Sequence, residues 1–247
     1  MTDRTILSVS GEDRREFLQG LVSNDIARAD GGIAYAALLT PQGKLIADFF
    51  VIGRADDYLI DVATPLAATL FQRLSMYRLR AAVSITEAPV GVYRGTGEPP
   101  AGALPDPRHP ALGWRLYGDK AGDDGTDWDA LRVAHIVPES GFELGPESYL
   151  LEAGFERLNG VDFRKGCYVG QEVTARMKHK TELRKGLALV RVEGPAEPGT
   201  AVTSDGKTIG SLHTRAGDYA IAYLRFDRAD GDMLAGSAKV TLQEKAV

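Results

Sequence analysis

The segment after Lys185 places the tightest constraint on the fold. Residues 187–192, 208–213, 220–226 and 239–242 are short β-type runs, and Asp205-Gly206 supplies a tight hairpin turn. An open sheet built from strands this short would leave unpaired edges, whereas closure removes them. A small closed barrel is therefore expected here.

Upstream, the pattern mixes helix and strand. Residues 5–9 read as a strand. Ser10, with Asp13 three residues on, starts a helix whose apolar face includes Phe17, Leu18 and Leu21, with Gly20 at its end. Residues 33–39 and 44–52 are two β-type runs joined by Thr40-Pro41-Gln42-Gly43, the composition of a hairpin loop. A strand at 58–61 precedes Thr64-Pro65, a helix start. Leu66, Leu70, Leu74 and Tyr77 then recur at helical spacing, and 81–86 returns to strand. Residues 95–113 hold five prolines and read as a long loop or junction, and 119–124 as an acidic loop. Thr126 with Asp129 caps a helix through Ile136 that Pro138 closes, and 148–158 reads as another helix.

Composition excludes several classes. A 247-residue chain with 44% hydrophobic residues allows one large domain or two to three small ones and is not mostly disordered. Its net charge of −5 predicts no nucleic-acid coat. No apolar run approaches a membrane span, and the first seventeen residues place acids where a signal peptide is apolar. A soluble, cytoplasmic protein is expected. The single cysteine, Cys167, excludes an intrachain disulfide and fits a reducing compartment.

The charge is unevenly spread. Arg164, Lys165, Arg176, Lys178, Lys180, Arg184 and Lys185 face only Glu172 and Glu182, so this stretch is +5 and the rest −10. It reads as a solvated face or as the place of an anionic ligand. Within it, Arg164-Lys165-Gly166-Cys167-Tyr168-Val169-Gly170-Gln171-Glu172 is the densest chemical signal. Cations beside a thiol and a helix following it lower a cysteine's pKa, and the two glycines permit close backbone approach. A lone cysteine is most often a small buried hydrophobe. The four histidines show no metal-ligand spacing, and no phosphate-binding glycine motif is present. Asn24-Asp25 follows the first helix. Asp48, in an apolar β run, and Glu152, between Leu151 and Ala153, are each either water-facing or ligand anchors; a carboxylate suits the paired donors of a heterocycle.

The octet Lys165 to Glu172, KGCYVGQE, followed by Ala175-Arg176, resembles the signature of the YgfZ family of folate-binding proteins, relatives of the glycine cleavage T-protein, an aminomethyltransferase. FLQGLVSND (17–25), YAALLTPQGKLIADFFV (35–51) and YRLRAAVSI (77–85) resemble family segments in the same order. The resemblance implies an α+β, T-protein-like fold of small α/β domains around a central opening with a C-terminal β-barrel. Its implied domains are a discontinuous folate-binding domain (1–49 with 113–184), a ferredoxin-like domain (50–112) and the barrel (185–247). It also implies a tetrahydrofolate-binding accessory protein in assembly or repair of iron–sulfur proteins, including those that modify tRNA. Cys167 would be the reactive thiol, and Asn24, Asp48, Glu152, Lys165, Gly166, Tyr168, Gly170, Gln171, Glu172 and Arg176 would bind the cofactor. Partners would be iron–sulfur client or assembly proteins, with no direct nucleic acid, no membrane and a monomeric state. The alternatives are a folate-dependent one-carbon transferase and a docking module without chemistry.

Two departures bear on these expectations. Ala47-Asp48 stands where the T-protein carries paired aspartates, so the carboxylate that would assist aminomethyl transfer is missing. Gly154 stands where an asparagine is expected.

Overall fold

The computed structural model describes residues 3–179, 182–229 and 231–247; Lys180 of the basic stretch lies outside them. The chain divides into two compact units, Met1–Thr126 with Leu158–Val173, and Asp127–Arg157 with Thr174–Val247.

The first unit begins with β1 (Arg4–Ser10), α1 (Arg14–Gln19), β2 (Ile33–Leu39), β3 (Leu45–Gly53), β4 (Asp57–Ala63), α2 (Thr64–Tyr77) and β5 (Ser84–Ala88). The strands form one sheet in the order β2-β3-β4-β1-β5, every pairing antiparallel. Alternation sends Val9, Ala36, Phe49 and Ile60 to one face, where Leu18 of α1 and Leu70 and Leu74 of α2 complete an apolar core. Asp13 adjoins the start of α1 without capping it; its Oδ2 instead accepts the Ala82 N–H at 2.7 Å.

The opposite face is also buried. Tyr35, Phe50 and Asp61 stand side by side across β2, β3 and β4. The expected loop at 95–113 contributes only Gly95 and Leu104–Pro105 to strands, and it connects strands of a second sheet: β6 (Gly91–Gly95), β7 (Leu104–Pro105), β8 (Trp114–Gly118) and β9 (Gly122–Asp123), in the order β7-β8-β6-β9. The prolines interrupt the segment without preventing pairing, because β7 is only two residues long. Arg115 of β8 donates to Asp61 at 2.7 Å, Tyr117 donates to the same oxygen at 2.9 Å, and Arg4 donates to the other oxygen. Asp106 grips Arg108 through bonds of 2.9 and 2.8 Å. The Arg108 and Arg115 guanidinium carbons lie 4.8 and 4.1 Å from the Phe50 ring centroid. Burial alone would raise the Asp61 pKa, but Arg4 and Arg115 outweigh it and hold the carboxyl at about 2.

The second unit contains α3 (Trp128–Ala134), most of α4 (Gln171–His179) and six strands: β10 (Lys185–Glu193), β11 (Ala201–Ser204), β12 (Lys207–Ala216), β13 (Tyr219–Arg225), β14 (Met233–Ala235) and β15 (Ala238–Lys245). They close as a barrel in the order β10-β13-β12-β11-β14-β15 around Val190, Val202, Leu212, Leu224 and Val240. Asp205 and Gly206, at φ +48° and +71°, form the β11–β12 turn that the dipeptide predicts. The helix expected from Thr126 starts instead at Trp128, where the Asp127 side chain accepts the Ala130 N–H at 3.0 Å. Residues 148–158 form successive turns rather than a helix, with Gly154 at φ +75°. Arg132 of α3 is buried and donates to Glu143 at 2.9 Å and to Thr214 of β12 at 3.1 Å, joining the helix to the barrel wall.

Candidate functional site

The Cys167 loop is fixed from both sides. Asp162 accepts the main-chain N–H groups of Arg164 (2.7 Å) and Lys165 (3.2 Å), closing a turn, and its second oxygen takes Arg28 at 3.0 Å. Burial would raise the Asp162 pKa, but the Arg164 N–H and Arg28 outweigh it and keep the carboxylate ionised. Lys165 then turns inward. Its Nζ donates to the carbonyls of Gln19 (2.8 Å) and Val22 (2.5 Å) just beyond α1, with the buried Tyr168 ring centroid 5.1 Å away. Burial lowers the Lys165 pKa to about 8, against the opposing pull of Asp25 and Asp162.

The loop's far end rests on the β2–β3 hairpin. Gly170 has φ +82°, and a Cβ there would lie 2.6 Å from the Thr40 carbonyl oxygen and 2.9 Å from Leu39 Cβ. Only glycine fits both the conformation and the space. The Gln171 N–H donates to the Tyr168 carbonyl at 3.2 Å as α4 begins. Between these anchors Gly166 and Cys167 are exposed, and a Cβ at Gly166 would meet nothing within 4 Å.

A third staple lies beneath the loop. Asn24 is 2% exposed and donates from Nδ2 to the carbonyls of Tyr35 (2.8 Å) and Asn159 (2.7 Å), while Oδ1 accepts the Asp25 N–H. Ser23 donates to the Gly160 carbonyl at 2.6 Å, and the Asp162 N–H donates to the Ser23 carbonyl. Three segments distant in the sequence, the end of α1, the 40–43 turn and the cysteine loop, thus meet in one unit. Asn24 and Lys165, expected to hold a ligand, direct their donors to main-chain carbonyls.

The remaining expected residues fall in three places. Asp48 is buried in β3 and accepts the Tyr35 hydroxyl at 3.0 Å. Burial first, then the Asp48 charge, raise the Tyr35 pKa well above its ordinary value, so the phenol stays protonated and donating. Glu172 and Arg176 are exposed along α4, and Gln171 is half-buried. Glu152 belongs to the second unit. Its Oε2 accepts the Tyr223 hydroxyl at 2.6 Å, while Lys185 Nζ stands 3.7 Å from Oε1. Burial and then the bond to Glu152 raise the Tyr223 pKa. Among the described residues no cluster of three or more His, Cys, Asp or Glu could hold a metal ion.

Sequence reasoning missed Gln19, Ser23 and Asp162, which hold the loop, and the charged cluster around Asp61. The available signals were a polar serine inside the apolar stretch after α1 and a carboxylate, Asp61, between the apolar residues Ile60 and Val62 of β4.

The mixed sheets, the clamped loop and the terminal closed barrel define a protein of the aminomethyltransferase fold. The aminomethyltransferase T of the glycine cleavage system from Bartonella henselae superposes with a TM-score of 0.76 over 98% of this chain and 83% of its own, at 12% identity. Residues 184–246 match the family model described as the CAF17 C-terminal beta-barrel domain. The mitochondrial iron–sulfur cluster assembly factor IBA57 of Homo sapiens is 30% identical, covering 93% of this chain and 78% of its own. The Mus musculus IBA57 is 29% identical over the same shares. A Neurospora crassa homologue is 33% identical over 79% of this chain and 54% of its own.

The chain belongs to the CAF17/IBA57 family of iron–sulfur cluster assembly factors. These relatives are mitochondrial proteins, and that finding overturns the cytoplasmic location expected from the sequence. Acidic residues near Met1 are no guide to compartment.

Proposed function

We propose that this assembly factor works through the Cys167 thiol, with tetrahydrofolate as its ligand in the manner of the YgfZ proteins that the octet resembles. The observation that carries the reading is the loop itself. Lys165 and Tyr168 are buried and Gly170 is wedged on the hairpin, yet the two residues between, Gly166 and Cys167, are exposed. A fold that fixes both flanks of an exposed thiol limits the ordering a partner must impose when it meets that sulfur.

The residues present are chemically suited to a reduced folate. Glu152 binds Tyr223 through Oε2, and among the described residues Oε1 meets the Lys185 ammonium, at 3.7 Å. That oxygen can accept an N–H from a pterin ring. Exposed Arg176 of the same unit is the candidate cation for an anionic tail; Asp48 of the first unit, held by Tyr35, is an alternative acceptor. Bound tetrahydrofolate would supply a carrier for one-carbon units. The one-carbon transferase reading has less behind it: Ala47, at the position of the missing carboxylate, sits in the apolar core, so no second acid accompanies Asp48 there. Iron–sulfur enzymes, including those that modify tRNA, are the proposed clients.

The test is complementation of cells lacking the protein. Cys167→Ala is expected to fold normally and to leave iron–sulfur enzyme activities low; full restoration would remove the thiol from the function. Separately, tetrahydrofolate at 100 times its dissociation constant should stabilise the native chain by about 2.7 kcal/mol. No shift in melting temperature with any reduced folate would dismiss the ligand while leaving the thiol reading standing.

A further inference from the structure

The end of α2 holds an apolar side chain out to water at a conformational cost. Leu79 is 88% exposed and has φ +46°, the left-handed conformation that β-carbon sterics disfavour. It follows the helix cap Arg78, at the position where helices favour glycine because only glycine adopts that geometry without penalty. Glycine would also spare the exposed apolar surface. Isolated exposed leucines are ordinary, but this one combines backbone strain with full exposure, and burial returns nothing for it within the chain.

Its surroundings state what it would meet. Met76, three residues before, is 52% exposed and extends the apolar spot along the last turn of α2. Arg73, Arg78 and Arg80 are exposed around it, and residues 64–82 hold these three arginines and no acid in a chain of net charge −5. Among the described residues none of the three is paired with a carboxylate; Arg78 reaches only the Val83 carbonyl, at 3.5 Å. Helix-terminal strain, an outward apolar knob and three exposed guanidinium groups fall within residues 73–80, with Asp13, which accepts the Ala82 N–H, as the neighbouring carboxylate.

We propose that Leu79 and the arginines around it form a docking knob for an acidic segment of a partner protein. Leu79 enters an apolar pocket on the partner, and carboxylates beside that pocket pair with Arg73, Arg78 and Arg80. Strain at a recognition element is retained where binding uses the conformation. Phe71, 41% exposed, adds a third apolar side chain on α2, but a single projecting leucine among arginines needs a partner with a pocket, which nucleic-acid backbones lack. No residue of the Cys167 loop belongs to this surface, and its role does not depend on what the thiol does.

The test uses the full chain in cells that require it. Leu79→Gly is expected to hold or raise the melting temperature of the purified protein, because it relieves the strain, while lowering iron–sulfur enzyme activity at least threefold. A photo-crosslinking amino acid at position 79 should give an adduct that maps to an Asp/Glu-rich protein segment. Arg78→Glu with Arg80→Glu should reduce that adduct at least fivefold, and lysines at the mapped acids should restore it. A fall in melting temperature with L79G would make Leu79 a structural residue and overturn the proposal. So would unchanged enzyme activity, an adduct unaffected by charge reversal, or crosslinking and binding to phosphatidylglycerol vesicles in place of a protein.

Discussion

The Lys165 ammonium donates to the Gln19 carbonyl oxygen at 2.8 Å, bringing a cation from the cysteine loop to the end of the first helix. The contact links two sequence motifs 146 residues apart and explains why both are needed for one loop. It also sets a pH dependence. Burial lowers the folded-state pKa of Lys165 to about 8, below the ~10.4 of an unfolded lysine. Between these values the unfolded chain binds the extra proton, so this group's contribution to stability rises as pH increases from about 8 to about 10.4. Urea melts across that range, compared with Lys165→Met, should show the increment in the wild type alone. At neutral pH the variant should be destabilised by about 1–3 kcal/mol, because two carbonyls lose their donor.

The glycines flanking Cys167 should respond oppositely to a methyl group. Gly170→Ala forces a Cβ to 2.6 Å from the Thr40 carbonyl oxygen at φ +82°, and is expected to cost about 2 kcal/mol or more. Gly166→Ala meets nothing within 4 Å at an ordinary φ and should change stability by less than about 0.5 kcal/mol. Thermal unfolding of the two variants measures the contrast, and maleimide labelling shows whether Cys167 stays exposed in each.

Much of the scaffold was readable locally. The Asp205-Gly206 turn and the alternating runs around it announce the barrel, and Thr40 to Gly43 announces the β2–β3 hairpin, because both signals reside in adjacent residues. The sheet of β6 and β8 was hidden, since its pairing joins Tyr93 to Leu116 across a proline-rich segment with no period of its own. The run at 148–158 has helical composition, yet its main-chain bonds close turns such as Gly154 N–H to the Leu151 carbonyl. The octet identified the cysteine loop. Its clamp was illegible, because Lys165, Asn24 and Ser23 are polar residues whose partners are distant main-chain carbonyls.

The cluster around Asp61 predicts acid sensitivity. With a folded-state pKa of about 2 against ~3.9 unfolded, Asp61 contributes stability that is fully present above about pH 4 and is lost as pH falls toward 2. Asp61→Asn should abolish that part of the acid transition in urea melts between pH 2 and 5. It should also destabilise the protein at pH 7 by about 3–5 kcal/mol, because Arg115 is left buried without its charged partner. A variant as stable as wild type would mean that Asp106, 3.6 Å from Arg115, suffices to neutralise it.

Gly154 tests whether the departure from the family pattern is conformational. Its φ of +75° lies where glycine is free and asparagine, the residue expected from the family resemblance, is the best tolerated of the others. Space sets a further limit: a Cβ would lie 2.9 Å from the Ala246 carbonyl oxygen and 3.2 Å from the Ala246 Cβ. Asparagine would therefore displace the C-terminal residues even though its backbone is acceptable. The stability order should be Gly154 above Gly154→Asn above Gly154→Ala, with the alanine variant about 1–3 kcal/mol below wild type. Because the Leu187 N–H donates to the neighbouring Glu152 carbonyl at 2.8 Å, the displacement should reach the start of the barrel. Hydrogen exchange at the Leu187 and Ala246 amides should then accelerate in both variants, and more in alanine than in asparagine; equal exchange in all three proteins would show that the turn absorbs the methyl group without moving its neighbours.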